Sequence, residues 1–330
     1  MDTFARDIGN IPDDDVVVGI ANIMPAKARR ATSEQFAGLL KAASKTRSTT
    51  IRYFSCCNGQ PVADIDFGLD GGYEDLEVIR DARLDGLIVT GLEPQAACMT
   101  DEYHWPTLAA LIDWAADNTI STMWSCFAAH AAAFRLDGLV RQSLPDKLSG
   151  VFECAKASEH WLLSGVPARW SVPHSRYNTL NEDNLLGNGY QILSRGDHVG
   201  ADMFVKYAGN SLFLFLQGHA EYGPESLMRE YRRDIRRFLL AERDTYPAMP
   251  RNIFDQNTAK VLTALRQRAL QQPSVDLLSG FDAAVGPSPA PGWRETAERF
   301  YANWLSYLSE RKAERGELAS ERDLRKLAYP

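Results

Sequence analysis

The sequence of 330 residues is poor in the features that mark secreted, membrane and nucleic-acid-binding proteins. Its five cysteines are an odd number without a Cys-x-x-Cys pair, which argues against a disulfide framework and a zinc site. No apolar run approaches the roughly 20 residues of a membrane span, and the acidic N-terminal segment lacks the apolar core of a secretory signal. The net charge of -7, without a basic block, argues against nucleic acid as a partner. We therefore expect a cytoplasmic protein with reduced thiols.

The composition is that of an ordinary globular enzyme, with 45% hydrophobic and 24% charged residues. In the first half, apolar β-branched runs alternate with helical patterns. The predicted strands are "DVVVGIANIMP", "STTIRYFSC", "DGLIVTG" and "TISTMW", and the predicted helices are "TSEQFAGLLKAA", "DLEVIRDARL" and "HWPTLAALIDWAADN". A capping box at Thr32 or Ser33 predicts the start of the first helix. This alternation predicts an α/β fold with a doubly wound, mostly parallel sheet and helices on both faces.

The second half contains further strand patterns and a helical end. Predicted strands are "YQILSRG", "ADMFVKYA" and "SLFLFLQGHAEY", followed by a long helix, "PESLMREYRRDIRRFLLAER". The segment 272–292 is rich in proline, glycine and serine and predicts a loop. We expect an α/β domain, 1–257, and a helical C-terminal extension, 258–330, that packs on the same domain.

A cysteine, Cys126, stands where the strand pattern "TISTMW" changes into an alanine-rich helix pattern. A nucleophile at such a strand-to-helix corner is called a nucleophile elbow, and its side chain stands clear of the sheet. The backbone N–H groups that follow it can stabilise an oxyanion, and the start of a helix favours a thiolate. The alternative is a structural thiol, because cysteine is among the most buried residue types.

The stretch "FLQGHAEY" carries a histidine and a glutamate two residues apart, beyond a buried strand. In extended backbone, His219 and Glu221 project to the same side. The carboxylate can then accept the Nδ1–H of the imidazole and orient Nε2 as a base. A histidine at a strand end is more often structural, but with Cys126 this pair predicts a Cys-His-Glu triad assembled from two strand ends.

The order of these residues resembles the class I glutamine amidotransferase-like, flavodoxin-like architecture. Amidotransferases favour glycines around the elbow cysteine, whereas Trp124 and Ala128 stand here and argue against a glutaminase. The closer resemblance is to the homoserine O-succinyltransferase and O-acetyltransferase family of methionine biosynthesis. It runs from about Val16 to about Asn257 and rests on the collinear stretches "NIMP", "DGLIVTG", "YHWP", "STMWSCFAAHAA", "DKLSGVFE", "PHSRY", "GHAEY" and "EYRRD", resuming at "WRETAERFYANWLSYL".

This resemblance implies an acyl-CoA-dependent O-acyltransferase that acts on L-homoserine with ping-pong kinetics. The triad cysteine would carry the acyl group as a thioester, and the histidine would be the general base. Lys147 of "DKLSG", Ser175 of "PHSRY" and Arg233 of "EYRRD" match the family's substrate-binding residues. Helical periodicity alone puts Arg233 opposite the apolar stripe, in solvent. The resemblance instead places it in the active-site cleft, where a guanidinium can hold a carboxylate.

The acyl donor and the acceptor stay open. Gln95 of "TGLEPQ" falls on the family position associated with acyl length, where glycine accompanies succinyl transfer and glutamate accompanies acetyl transfer. The size of Gln95 favours acetyl, while its amide could bind a succinyl carboxylate. L-serine or a related hydroxy amino acid, in cysteine or specialised metabolism, is the alternative acceptor, because one methylene changes discrimination by only roughly 1–3 kcal/mol.

Two other classes of function are alternatives to this one. An amidase-type hydrolase would share the fold, and a binding or regulatory protein would have lost catalysis, which the intact Cys-His-Glu set argues against. The family resemblance implies a homodimer, with acyl-CoA as a co-substrate and neither a metal nor a further cofactor.

Overall fold

The computed structural model describes residues 15–44, 48–55, 72–286 and 292–328, with side chains described as far as residue 317. Cys56 and Cys57, at the end of the second predicted strand, lie outside these ranges, as do residues 287–291 of the predicted loop. None of the helices within these ranges is long and apolar enough to cross a membrane.

A ten-stranded sheet runs through the described part of the chain. Its strands are β1 (Val16–Asn22), β2 (Thr49–Ser55), β3 (Tyr73–Asp75), β4 (Gly86–Val89), β5 (Ser121–Ser125), β6 (Gln142–Lys156), β7 (Arg169–Thr179), β8 (Gln191–Gly196), β9 (Gly200–Ala208) and β10 (Ser211–Leu216). Their spatial order is β3-β2-β1-β4-β5-β10-β9-β8-β6-β7. In this spatial order, the six strands from β3 to β10 run parallel to one another. From β10 onwards, each strand is antiparallel to its neighbour. The predicted α/β fold with a mostly parallel sheet is confirmed.

Helices cover both faces of this sheet. They are α1 (Ala26–Ala43), α2 (Trp105–Asn118), α3 (Phe127–Asp137), α4 (Glu182–Gly187), α5 (Ser226–Leu239), α6 (Gln256–Gln271), α7 (Leu277–Ala284) and α8 (Arg294–Ala328). Val16 and Val18 of β1 join the core beneath α1 and α8, whereas Val17 joins the core beneath α2 and α3. Successive strand side chains point to opposite faces, so one strand supplies both cores. α5, α6 and α7 form a third, smaller core.

The start of α1 differs from the sequence prediction. The helix begins at Ala26, directly after Pro25, so Thr32 and Ser33 lie inside it. The Thr32 hydroxyl donates to the carbonyl oxygen of Ala28 one turn earlier, and therefore does not cap the helix. Proline is favoured around helix starts because it fixes φ near the helical value and has no N–H to leave unpaired.

Two further segments were predicted wrongly. The pattern "DLEVIRDARL" forms a 3-10 helix, Leu76–Asp81, whose start is capped by the side chain of Asp75. The segment 272–292, predicted as a loop, contains α7. Phe281 of α7 is buried in one cluster with Leu262 and Leu265 of α6, and this packing overrides the weak helical propensity of the glycine and serine residues.

The hairpin of β6 and β7 was not predicted from the sequence as a pair of strands. Pro145 and Gly150 interrupt the strand pattern of β6, and both are disfavoured inside strands. The pairing register shifts between Ser143 and Leu148, an irregularity that accommodates Pro145. Lys147, one of the predicted substrate-binding residues, lies within this irregular stretch.

α8 is part of the main core. Trp304 is fully buried and donates its Nε1–H to the hydroxyl of Ser121 at 3.0 Å. A Cβ on Gly86 would come within 2.5 Å of Leu308 Cδ1 and 2.9 Å of the Trp304 ring, so the glycine lets α8 approach β4 closely. The division of the chain at residue 257 stays a prediction.

We expect Trp304→Ala to lower the free energy of unfolding by about 3–5 kcal/mol, because it opens a large cavity between α8 and the sheet. Trp161→Ala is the matched control, since Trp161 is 38% exposed and mainly stacks on Tyr307. Its expected cost is about 1 kcal/mol. Urea unfolding followed by circular dichroism measures both, and equal losses in the two variants would contradict the central packing of α8.

Candidate active site

Cys126 lies at the predicted corner between β5 and α3, in a backbone conformation that is rare for a residue with a side chain. Its φ is 50° and its ψ is -108°, in the half of the Ramachandran plot that favours glycine. Its N–H donates to the carbonyl oxygen of Leu216 at 2.7 Å. A Cβ on Gly91 would lie 3.0 Å from the carbonyl oxygen of Ser125, so the Gly91 backbone closes tightly against the corner. The neighbouring strands thus hold Cys126 in place.

The first turn of α3 supplies hydrogen-bond donors beside the thiol. The N–H groups of Phe127 and Ala128 have no intrahelical acceptor, because the helix begins at Phe127. These dipoles make the start of the helix positive, which favours an anion at this point. The corner therefore combines a nucleophile with groups that can stabilise an oxyanion.

His219 follows β10, the strand beside β5, and its ring lies within hydrogen-bonding reach of the Cys126 thiol. Nδ1 of His219 is 2.7 Å from Oε1 of Glu221, and the Tyr222 ring stacks on the imidazole with centroids 4.3 Å apart. Burial alone would lower the pKa of His219. The Glu221 carboxylate and Cys126 outweigh burial and raise this pKa well above its ordinary value. The imidazole is therefore held as a cation between sulfur and carboxylate.

Six of the seven predicted site residues line one cavity. They are Cys126, His219, Glu221, Lys147, Ser175 and Arg233. Gln95 is not among the residues that the structure places in this lining, although its neighbours Glu93 and Pro94 are. A concave site with a few convergent polar groups is typical of small-molecule binding.

Two carboxylates of α5 form direct ion pairs with Lys147 in the wall of the cavity. Lys147 Nζ lies 3.1 Å from Glu230 and 2.9 Å from Asp234, and the Ser175 hydroxyl donates to Glu230. Burial would raise the pKa of Glu230, but Lys147, with hydrogen bonds from Ser175 and Tyr222, lowers it to about 2. Glu230 therefore stays ionised in the cavity. Burial also opposes the charge on Lys147, yet Glu230 and Asp234 raise its pKa above the ordinary value.

Arg233, which helical periodicity alone places in solvent, lies on the cavity side of α5. Its side chain is 40% exposed, and its guanidinium lies 2.9 Å from Asp234. The sequence reasoning missed Glu230 and Tyr222, which line the same cavity. One signal was available: Glu230 precedes Arg233 by three residues and Asp234 by four, a spacing that puts side chains on one helix face.

A buried ion pair shapes the loop that carries Gln95. The Glu102 carboxylate accepts the backbone N–H of Gln95 at 3.1 Å, and the Arg141 guanidinium lies 2.6 Å from Glu102. The side chain of Gln95 is exposed and donates to the carbonyl oxygen of Glu93. The Glu93 carboxylate lies 2.8 Å from Arg237 of α5. The role of Gln95 in acyl length stays a prediction, and Glu93 is the side chain that this loop turns towards α5.

Cys154, His174 and Asp202 cluster behind His219, with ligand atoms close enough to share a metal ion. Burial lowers the pKa of His174, so its ring is neutral. Arg176 donates to Nδ1 of this ring, which puts the ring hydrogen on Nε2, 3.3 Å from Asp202. A metal-bound histidine instead donates its second N–H to an acceptor. The donor arrangement suits a structural His–Asp contact and does not suit a metal.

Comparisons with known proteins point to one family. The family model described as homoserine O-succinyltransferase matches residues 13–315. A protein named homoserine O-succinyltransferase from Rhodopseudomonas palustris is 41% identical over 295 residues, covering 89% of this chain and 88% of the relative. One of the same name from Bradyrhizobium japonicum is 41% identical over 302 residues, covering 90% and 91%. A solved glutamine amidotransferase from Methylobacillus flagellatus is 17% identical over 89% of this chain and 95% of that chain, with a TM-score of 0.49, too low to support an argument.

His130 is buried beside the cavity, and its lowered pKa makes the stability of the folded chain depend on pH. Its Nε2 lies 2.9 Å from Gln217, and burial lowers its pKa to about 3. Because this pKa is lower in the folded chain than in the unfolded chain, its stability contribution is full above about pH 6.5 and is lost as pH falls towards 3. The free energy of unfolding is therefore expected to fall less between pH 7.5 and pH 5 in His130→Gln than in the wild type, by about 2 kcal/mol. Urea unfolding at the two pH values measures this, and an unchanged difference would contradict a neutral, buried His130.

Proposed function

We propose, since the chain belongs to the homoserine O-succinyltransferase family, that it transfers a succinyl group from succinyl-CoA to the side-chain hydroxyl of L-homoserine. The observation that carries this proposal is the elbow at Cys126. A cysteine with positive φ, helix N–H groups behind it and a charged His219–Glu221 pair beside it is built for covalent acyl transfer. The same cavity contains cationic groups suited to a carboxylate substrate.

In the first half of the reaction, the thiolate of Cys126 attacks the thioester carbonyl of the acyl-CoA. The developing oxyanion is stabilised by the N–H groups of Phe127 and Ala128. Imidazolium on His219 donates its proton to the departing CoA sulfur. One thioester is exchanged for another, so the acyl-enzyme forms at little thermodynamic cost.

In the second half, the hydroxyl of homoserine attacks the acyl-enzyme. His219, now neutral, takes the hydroxyl proton through Nε2 while Glu221 holds Nδ1 and stabilises the cation that forms. The tetrahedral intermediate collapses, the O-acyl amino acid leaves, and the Cys126 thiolate is regenerated. Donor and acceptor use the same cysteine in turn, so ping-pong kinetics follow.

The charged groups of α5 and β6 suit the amino-acid end of the acceptor. Arg233 is the partly exposed cation of the cavity, and its guanidinium can hold the α-carboxylate with two parallel hydrogen bonds. Glu230, ionised and fixed by Lys147 and Ser175, offers a partner for the α-ammonium. Lys147 keeps that carboxylate charged and aligned.

Succinyl is proposed as the acyl group because the relatives are named for it, against the acetyl preference that the size of Gln95 suggested. The exposed position of Gln95 removes the steric argument for acetyl. Acyl-CoA serves as a co-substrate, and the scheme needs no other cofactor. A homodimer in the cytoplasm, acting in methionine biosynthesis, is part of the same proposal.

Release of free CoA thiol tests the reaction directly. We expect succinyl-CoA with L-homoserine to give a kcat/KM at least about tenfold above acetyl-CoA or L-serine in the same assay. Cys126→Ala should lose at least about a thousandfold in kcat, because the nucleophile is gone. Faster release with acetyl-CoA or L-serine would contradict the assigned substrates. Retained activity in the alanine variant would contradict the covalent mechanism.

The proposed carboxylate contact makes a separate prediction. Arg233→Ala should raise the KM for L-homoserine by about 10–100-fold and leave the KM for succinyl-CoA near wild type, because the lost hydrogen bonds are charge-assisted. Arg232→Ala is the matched control, since Arg232 is adjacent on α5 but pairs with Asp282 at the surface. Equal KM values for homoserine in the two variants would contradict the role of Arg233.

A further inference from the structure

α8 packs directly behind the proposed triad. Trp293, next to its start, donates Nε1–H to the carbonyl oxygen of Tyr222 at 3.0 Å, and Trp304 donates Nε1–H to Ser121. These two bonds fix the helix to the loop after β10 and to β5. Tyr301 lies between them in the sequence and is fully buried. Its position is therefore set by the packing on both sides.

Several buried oxygen atoms near the triad have no hydrogen-bond partner among the residues that the structure describes, and two of them lie on Glu221 and Tyr301. One is Oε2 of Glu221, whose other oxygen faces Nδ1 of His219. The second is the hydroxyl oxygen of Tyr301. A buried polar group without a partner is costly, and a carboxylate more so than a neutral group. Both atoms therefore need a partner in the folded protein.

The two groups interact electrostatically. Burial first, and then the charge of Glu221, raise the pKa of Tyr301 well above its ordinary value, so the hydroxyl keeps its hydrogen. A hydroxyl can donate, whereas an ionised carboxylate can only accept. We propose that the Tyr301 hydroxyl donates to one enclosed water, that this water donates to Oε2 of Glu221, and that the bridge so positions this carboxylate on His219.

This inference rests on the proposed function, because it gives the triad a positioning residue that never touches the substrate. Glu221 interacts with His219 and Tyr222 from its own loop and with Tyr301 from α8, while Cys126 from the β5–α3 corner and His174 from β7 interact with His219. With Oε2 held, Oε1 stays aligned with Nδ1 and supports the imidazolium. Without that bond the carboxylate turns towards other donors, and the pKa of His219 falls.

Tyr301→Phe tests the bond, because it keeps the ring in the core and removes one oxygen. Alkylation of Cys126 by iodoacetamide, followed as a function of pH by mass spectrometry of its peptide, reports the cysteine–histidine pair without any acyl transfer. We expect the step at which His219 loses its proton to move down by about half a pH unit, as the loss of one hydrogen bond implies. The kcat for CoA release should fall by about three- to tenfold at unchanged KM.

Tyr246→Phe is the matched control, since it removes a buried hydroxyl from the separate α5–α7 core. It should leave both the alkylation profile and kcat at wild-type values. If Tyr301→Phe shows the wild-type profile, the positioning role is wrong while the triad stands. If the wild type lacks the His219 step, the triad of the proposed function fails and this inference fails with it.

Discussion

The backbone of Cys126 is held at a φ of 50° by the strands on either side of it, and the candidate active site is assembled around that position. A conformation of this kind costs roughly 1–3 kcal/mol for a residue with a side chain and persists only where its surroundings impose it. Here the carbonyl oxygen of Leu216 binds the Cys126 N–H, and Gly91 leaves no room for a side chain against Ser125. Because β10 supplies both this bond and the residues that precede His219, one strand positions the proposed nucleophile and the proposed base together.

The charges around the cavity are compensated before any substrate arrives. Lys147 lies between Glu230 and Asp234, and Arg233 lies against Asp234. Binding a zwitterionic amino acid then exchanges existing ion pairs for new ones and leaves no charge buried alone, which would be costly. The partly exposed Arg233 is the group that can make such an exchange most readily. In the proposed function, this arrangement favours a substrate that carries both a carboxylate and an ammonium.

The parts of this site that were predictable are those set by local pattern. The change from strand to alanine-rich helix located the corner at Cys126, and the two-residue spacing located His219 with Glu221. Local pattern did not place Lys147, because this residue lies in an irregular stretch of β6 that contains Pro145. It did not place the exposed Gln95 either, because the buried Glu102–Arg141 ion pair sets the path of the loop that carries it. Both depend on contacts between residues far apart in the chain.

The proposed reaction requires Cys126 to carry the acyl group. Intact-mass spectrometry after mixing the protein with succinyl-CoA, without an acceptor, detects this acyl-enzyme. We expect one succinyl group per chain, located on the Cys126 peptide, and its disappearance when L-homoserine is added. An enzyme that turns over with no adduct under these conditions, or an adduct that homoserine does not remove, would contradict the account.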